Sequence, residues 1–136
     1  MRNAPTAIHM FFTATLALAL AGCAGRHVPT VSDDRYDGPP LSVDSSGPSH
    51  VLVLDAPSGG YTLTIDRVLE RSKSYDIFAT VRTPDPRFFY TQSTVKLRAL
   101  VPLASTERVR VCARTLAPSE TEDPEYPVAL PLPPAK

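Results

Sequence analysis

Apolar and polar positions alternate with a period of two through the middle of the chain. Residues 50–55 (HVLVLD) form a continuous apolar run bounded by turn signals, which suits a strand covered on both faces. Over residues 61–70, Tyr61, Leu63 and Ile65 point one way and Thr62, Thr64 and Asp66 the other. A polar turn at 71–74 leads into residues 75–82, where Tyr75, Ile77, Ala79 and Val81 share a face. Residues 83–87 (TPDPR) read as a loop, because neither proline can donate to a strand ladder. Residues 94–101 place Val95, Leu97, Ala99 and Val101 on one side, with Lys96 and Arg98 opposite. Residues 107–115 place Val109, Val111 and Ala113 inward, with Arg108, Arg110, Cys112 and Arg114 outward. Five such segments at short spacing predict an all-β domain, either a small antiparallel sandwich or a partly open barrel.

The flanks read differently. Residues 26–49 are rich in Pro, Ser, Gly and Asp and predict a flexible tether, with at most a short strand near 41–43. Residues 117–136 predict an extended or disordered proline-rich tail, whose stretch 126–132 has the apolar content to pack back. Of the 15 prolines in 136 residues, only Pro57, Pro84, Pro86 and Pro102 fall within 50–116. That excess excludes a helical bundle, since an interior helical proline costs about 3 kcal/mol. The zero net charge is a cancellation. Residues 50–116 hold ten basic and six acidic groups, against two and four in 26–49 and one and four in 117–136.

At the N-terminus, Arg2 precedes a 13-residue apolar run, IHMFFTATLALAL. As a helix it would span about 20 Å, short of the roughly 30 Å of a bilayer core, so it reads as an export signal. The next residues, Leu20-Ala21-Gly22-Cys23, resemble the lipobox of bacterial lipoproteins. The resemblance implies a signal peptide over 1–22, cleavage after Gly22, a diacylglyceryl thioether on Cys23 and acylation of the freed amine. More than one acyl chain anchors stably where a single chain does not. Ala24 stands where inner-membrane retention would favour Asp, so the expected location is the outer membrane of a bacterial envelope. The expected organisation is signal 1–22, lipidated tether 23–49, all-β interaction domain 50–116 and acidic tail 117–136.

Two further resemblances rest on Ala56-Pro-Ser-Gly-Gly-Tyr61 and the segment TPDPRFFYTQSTVKLRALVPL. Together these resemble the protease-complex subunit family of small surface lipoproteins over about residues 50–102. Ser58, Gly59, Gly60 and Tyr61 match its turn, Pro84 and Pro86 its loop and Pro102 its strand end. Asp85 and Arg87 stand where that family tends to have glycine. Membership implies a lipid-anchored accessory domain without catalytic residues. The same turn is similar to the Pro-Thr-Thr-Gly-Tyr loop of the chagasin-like protease inhibitors, which implies an immunoglobulin-like sandwich. Their Arg-Pro-aromatic loop has only Pro86-Arg87-Phe88 here, in another order.

The candidate partner-binding residues are therefore Ser58, Gly59, Gly60, Tyr61, Asp85, Arg87 and Phe88. The two glycines permit φ > 0 at a tight connection and close approach of a partner's backbone. Phe88-Phe89-Tyr90 after a proline loop offers aromatic anchors. Lys96, Arg98, Arg108, Arg110 and Arg114 form a candidate basic face for anionic polymer, or else a charged edge that blocks strand pairing. The face lacks interleaved aromatics, so nucleic acid is not expected. Cys112 falls among arginines that would lower its pKa, yet the only histidines after Cys23 are His27 and His50, and a packed thiol is expected. The carboxylates Asp55, Asp66, Glu70, Asp76, Asp85 and Glu107 mostly alternate outward. No metal or cofactor site and no enzyme activity are expected. The expected function is a membrane-anchored, non-catalytic interaction module, an accessory or stabilising subunit of an envelope protease. The alternatives are a loop-inserting protease inhibitor and a structural envelope protein that binds anionic polymer.

Overall fold

The computed structural model describes residues 28–121 and 125–134. The export signal 1–22, Cys23 and the first residues of the expected tether lie outside the described residues. Within them the regular elements are eight strands: β1 (Thr30–Arg35), β2 (Leu41–Asp44), β3 (Ser49–Ala56), β4 (Thr62–Arg71), β5 (Ser74–Arg82), β6 (Val95–Ala104), β7 (Val109–Leu116) and β8 (Glu125–Leu130). Five form one sheet in the order β1-β8-β7-β5-β4, and three form a second in the order β2-β3-β6.

The two sheets face each other as a sandwich and do not close into a barrel. Leu52 of β3 and Val101 of β6 meet Ile77, Ala79, Val109, Val111 and Ala113 of β5 and β7 in the main core. Leu54, Ala56 and Val81 extend it towards one end. The inward residues of β5, β6 and β7 are those the alternation predicts. Burying side chains of this size stabilises by about 1.5–3 kcal/mol each, which makes this face the main source of fold stability.

The five-stranded sheet is mixed. β7 lies parallel to β5 in unbroken register from Tyr75↔Val109 to Arg82↔Leu116, and β1 lies parallel to β8. Immunoglobulin sheets are antiparallel, so the likeness to them is one of layers and not of strand pairing. In β4 the register shifts between Ile65 and Arg67, so the bulge adds one residue there. Leu63, Ile65 and Val68 consequently all pack on the core.

The fold also reaches beyond residues 50–116. Residues read as tether form β1 and β2, and residues read as tail form β8. β2 pairs with β3 from Leu41↔Leu54 to Asp44↔Val51. β8 bridges β1 and β7, and its Tyr126 is 4% exposed. These strands hide from pattern reading because β1 (TVSDDR) is almost wholly polar and β8 carries Pro127 within its six residues.

Candidate functional site

The turn after β3 and the loop between β5 and β6 form one surface at one end of the sandwich. Gly59 N–H donates to the Thr91 carbonyl at 2.9 Å. Gly60 has φ +85°, and a Cβ at that position would run into the Tyr90 ring. Gly60 is thus the residue that needs glycine's freedom. Gly59 does not use that freedom: its φ is not positive, and a Cβ there would find its nearest atom at an ordinary 3.6 Å. Ser58, Gly59, Gly60 and Tyr61 are in this way brought beside the loop that carries Asp85, Arg87 and Phe88.

Within the loop, Arg87 folds back on Asp85. Its backbone N–H and Nε both donate to Oδ1 at 3.0 Å, and a terminal nitrogen donates to Oδ2 at 2.6 Å. These bonds hold the Asp85 carboxyl at about 2, below the usual carboxylate range. The Arg87 guanidinium lies 5.9 Å from the centre of the Phe88 ring. Phe88 is 62% exposed and Phe89 is fully exposed, while Tyr90 turns inward over Gly60. Strand pairing resumes only at Val95, so these aromatics belong to a loop and not to a strand.

The five basic positions do not make one face. Lys96 and Arg98 point outward from β6, an edge strand of the three-stranded sheet. Arg110 and Arg114 belong to β7 in the other sheet, and Arg108 immediately precedes it. Alternation along each strand predicts outward orientation correctly but not which sheet each strand joins. The cations also have partners. Arg98 donates to Asp44 at 2.7 Å, and Lys96 lies 3.0 Å from Asp55 in an ion pair outside hydrogen-bonding geometry. Arg108 donates to the Pro133 carbonyl at 2.6 Å. Lys96, Arg98 and Pro102 on β6 fit the protection of an exposed strand edge.

On the outer face of the five-stranded sheet, two polar clusters flank an apolar patch. Asp76 accepts from Arg110 Nε and Arg71 Nε, both at 2.9 Å. Asp66 Oδ2 accepts from Thr80 Oγ1 at 2.5 Å and from the Tyr126 hydroxyl at 3.0 Å. Arg114 Nε donates to Thr80 Oγ1 at 2.8 Å, and its guanidinium lies 4.3 Å from the Tyr126 ring centre. Between the clusters Phe78, Cys112 and Tyr126 pack together. Asp76, Thr80 and Arg114 are buried, so the outward alternation of Asp76 and Arg114 does not put either in solvent. The physical reason is their central position: β5 and β7 have neighbours on both sides whose long side chains fold over them.

Cys112 is fully buried there. Burial pushes its thiol up to about 11, and the nearby Arg110 offsets this only in part, so the expected lowering by arginines is overturned.

At the opposite end of the sandwich, sequence reasoning missed His50. Its Nε2 donates to the Glu107 carbonyl at 2.9 Å, and its Nδ1 lies 2.7 Å from Ser45 Oγ. Only a side chain five residues away across a hairpin and a carbonyl 57 residues away make these contacts, so no local motif announces them. The ring ties the β2–β3 turn to the β6–β7 turn beside a cavity of about 320 Å³ floored by Val43, Val111 and Leu130. Among the described residues, no group of three or more His, Cys, Asp or Glu side chains is placed to hold a metal ion. No helix among them is long and apolar enough to cross a membrane. No family model, curated protein or solved structure matches the chain.

Proposed function

We propose that this chain is a lipid-anchored, non-catalytic interaction module of the bacterial envelope that meets a membrane-associated protein partner, as an accessory subunit of an envelope protease would. The observation that supports it best is the joining of residues 58–61 to the aromatic loop by the Gly59–Thr91 hydrogen bond. That bond holds the turn beside the loop at one end of the sandwich, where the bare backbone of Gly59 and Gly60 lets a partner approach closely. Cys23 is the residue that the lipobox resemblance makes the anchor.

The inhibitor reading draws on the same juxtaposition, since a loop-inserting inhibitor also needs two neighbouring loops at one end. The polymer reading draws less support, because the basic residues are divided between two sheets and carry partners of their own.

The test is photo-crosslinking in the native envelope from a reactive residue at Ser58, with Ser46 at the far end as control. A protease or its membrane subunit captured from position 58 and not from position 46 supports the accessory reading. Equal capture from both, or none from position 58, overturns it. Inhibition of a protease panel by the purified protein, lost in Gly60→Trp, replaces it with the inhibitor reading.

A further inference from the structure

Five large apolar side chains stand exposed on the described residues, and three of them, Val28, Phe88 and Phe89, gather at one end of the sandwich. It is also the end at which the chain arrives. Thr30 opens β1 opposite Glu125, the first residue of β8. β8 runs antiparallel to β7, and β7 runs parallel to β5, ending at Leu116 opposite Arg82. The starts of β1 and β8 therefore share an end with the finish of β5, from which the aromatic loop departs. Thr62, first residue of β4, pairs with Arg82 and brings the glycine turn to that same end. Three strand spacings separate β1 from β5, about 14 Å at the usual interval.

Seven Cα steps lead from Cys23 to Thr30, a reach of about 25 Å at full extension. An anchor at Cys23 thus holds this end near the membrane, and with it the loop that carries the two unpacked phenyl rings. We propose that this end lies against the bilayer that holds the anchor, with Phe88 and Phe89 seated at the boundary between headgroups and acyl chains. The inference rests on the lipid-anchor reading and deepens it: the protein partner is met at the bilayer surface, by the turn next to the immersed rings. Aromatic rings beside a basic side chain suit that boundary layer. The loop's own charges cancel, because Asp85 and Arg87 are paired, and nearby Lys96 is paired with Asp55. The loop's attraction is therefore apolar, and with exposed Glu120 and Glu125 at the same end it draws no help from anionic lipid.

The test uses the full-length protein reconstituted in phosphatidylcholine vesicles. An environment-sensitive fluorophore is placed on Phe89→Cys or, at the opposite end, on Ser46→Cys, while buried Cys112 stays unlabelled. The intact mass before reconstitution reports separately whether the chain begins at a lipidated Cys23. The expected result is a blue-shifted probe at position 89, quenched by nitroxide-bearing lipids several-fold more than the probe at position 46, in low and high salt alike. Adding Phe88→Ser reduces that quenching. A lipidated chain whose two probes are equally wet overturns the proposal alone. A mass without lipid overturns the anchor reading and the proposal with it. A probe that becomes dry in native envelope membranes and not in vesicles shows that protein covers the rings, and also overturns it.

Discussion

Asp76 on β5 and Arg110 on β7 face each other in register, and Arg110 grips the carboxylate at both oxygens, Nε to Oδ1 at 2.9 Å and a terminal nitrogen to Oδ2 at 2.8 Å. The pair, with Arg71 on its other side, ties β4, β5 and β7 together across their outer face. Burial pushes the Asp76 carboxyl up, but the bonds from Arg110 and Arg71 pull it down further, so it sits below its ordinary value.

A carboxyl depressed in the folded state contributes stability that is complete above its unfolded pKa of about 4. That contribution is lost as pH falls through the folded value. The protein therefore loses stability below about pH 4 partly through Asp76. Asp76→Asn is expected to cost about 1–3 kcal/mol at neutral pH, because Arg110 is left facing a neutral group. It also flattens the acid side of the stability profile. Urea unfolding between about pH 2 and pH 7 checks both effects.

Gly60 and Gly59 are neighbours with different reasons to be glycine. Gly60→Ala forces an L side chain into the left-handed region at about 1–2 kcal/mol and drives its Cβ into Tyr90. Gly59→Ala meets only ordinary contacts and is expected to change stability by less than about 0.5 kcal/mol. Thermal unfolding of the two variants separates them. Equal losses would show that the turn does not depend on the Gly60 backbone.

Cys112 is expected to resist thiol reagents in the native state. Its sulfur is fully buried and its pKa stands at about 11, so little thiolate forms near pH 8 and no path leads to it. Alkylation followed by peptide mapping should show residue 112 unmodified in buffer and fully modified in denaturant. Rapid labelling of the folded protein would refute this placement.

The strands β4 to β7 are legible because a sheet face turned to the core writes its period of two into the sequence, and β3 because it is a continuous apolar run between turn signals. Ile77, Ala79, Val109, Val111 and Ala113 stand in the core as alternation requires. The opposite faces were not legible. Alternation turns Asp76 and Arg114 outward, and only the central place of β5 and β7 in a five-stranded sheet buries them together with Thr80. That place depends on pairings between distant segments, which alternation does not encode. The turn and loop at the candidate surface were legible as turn chemistry, from the glycine pair and the two prolines. Their mutual contact was not, since Gly59 and Thr91 lie on separate connections.

β8 gives the sharpest difference between the fold and a disordered tail. Tyr126 is buried to 4% exposure, its ring meets Phe78 edge-on at 5.2 Å and its hydroxyl donates to Asp66 at 3.0 Å. Burial, with the Asp66 charge and hydrogen bond, raises that hydroxyl to about 12, so it stays protonated and donating at any ordinary pH. Tyr126→Phe removes only the hydroxyl and leaves Asp66 its bond from Thr80, at a cost of about 1 kcal/mol. Tyr126→Ala opens a void beside Phe78 and Cys112 and is expected to cost about 3–5 kcal/mol. A chain ending after residue 121 loses β8 entirely, and β1 loses the strand it pairs with. It should unfold at a markedly lower urea concentration than either point variant. A truncated chain with an unchanged urea midpoint would mean that β8 adds nothing to the fold, and that residues 117–136 behave as a free tail after all.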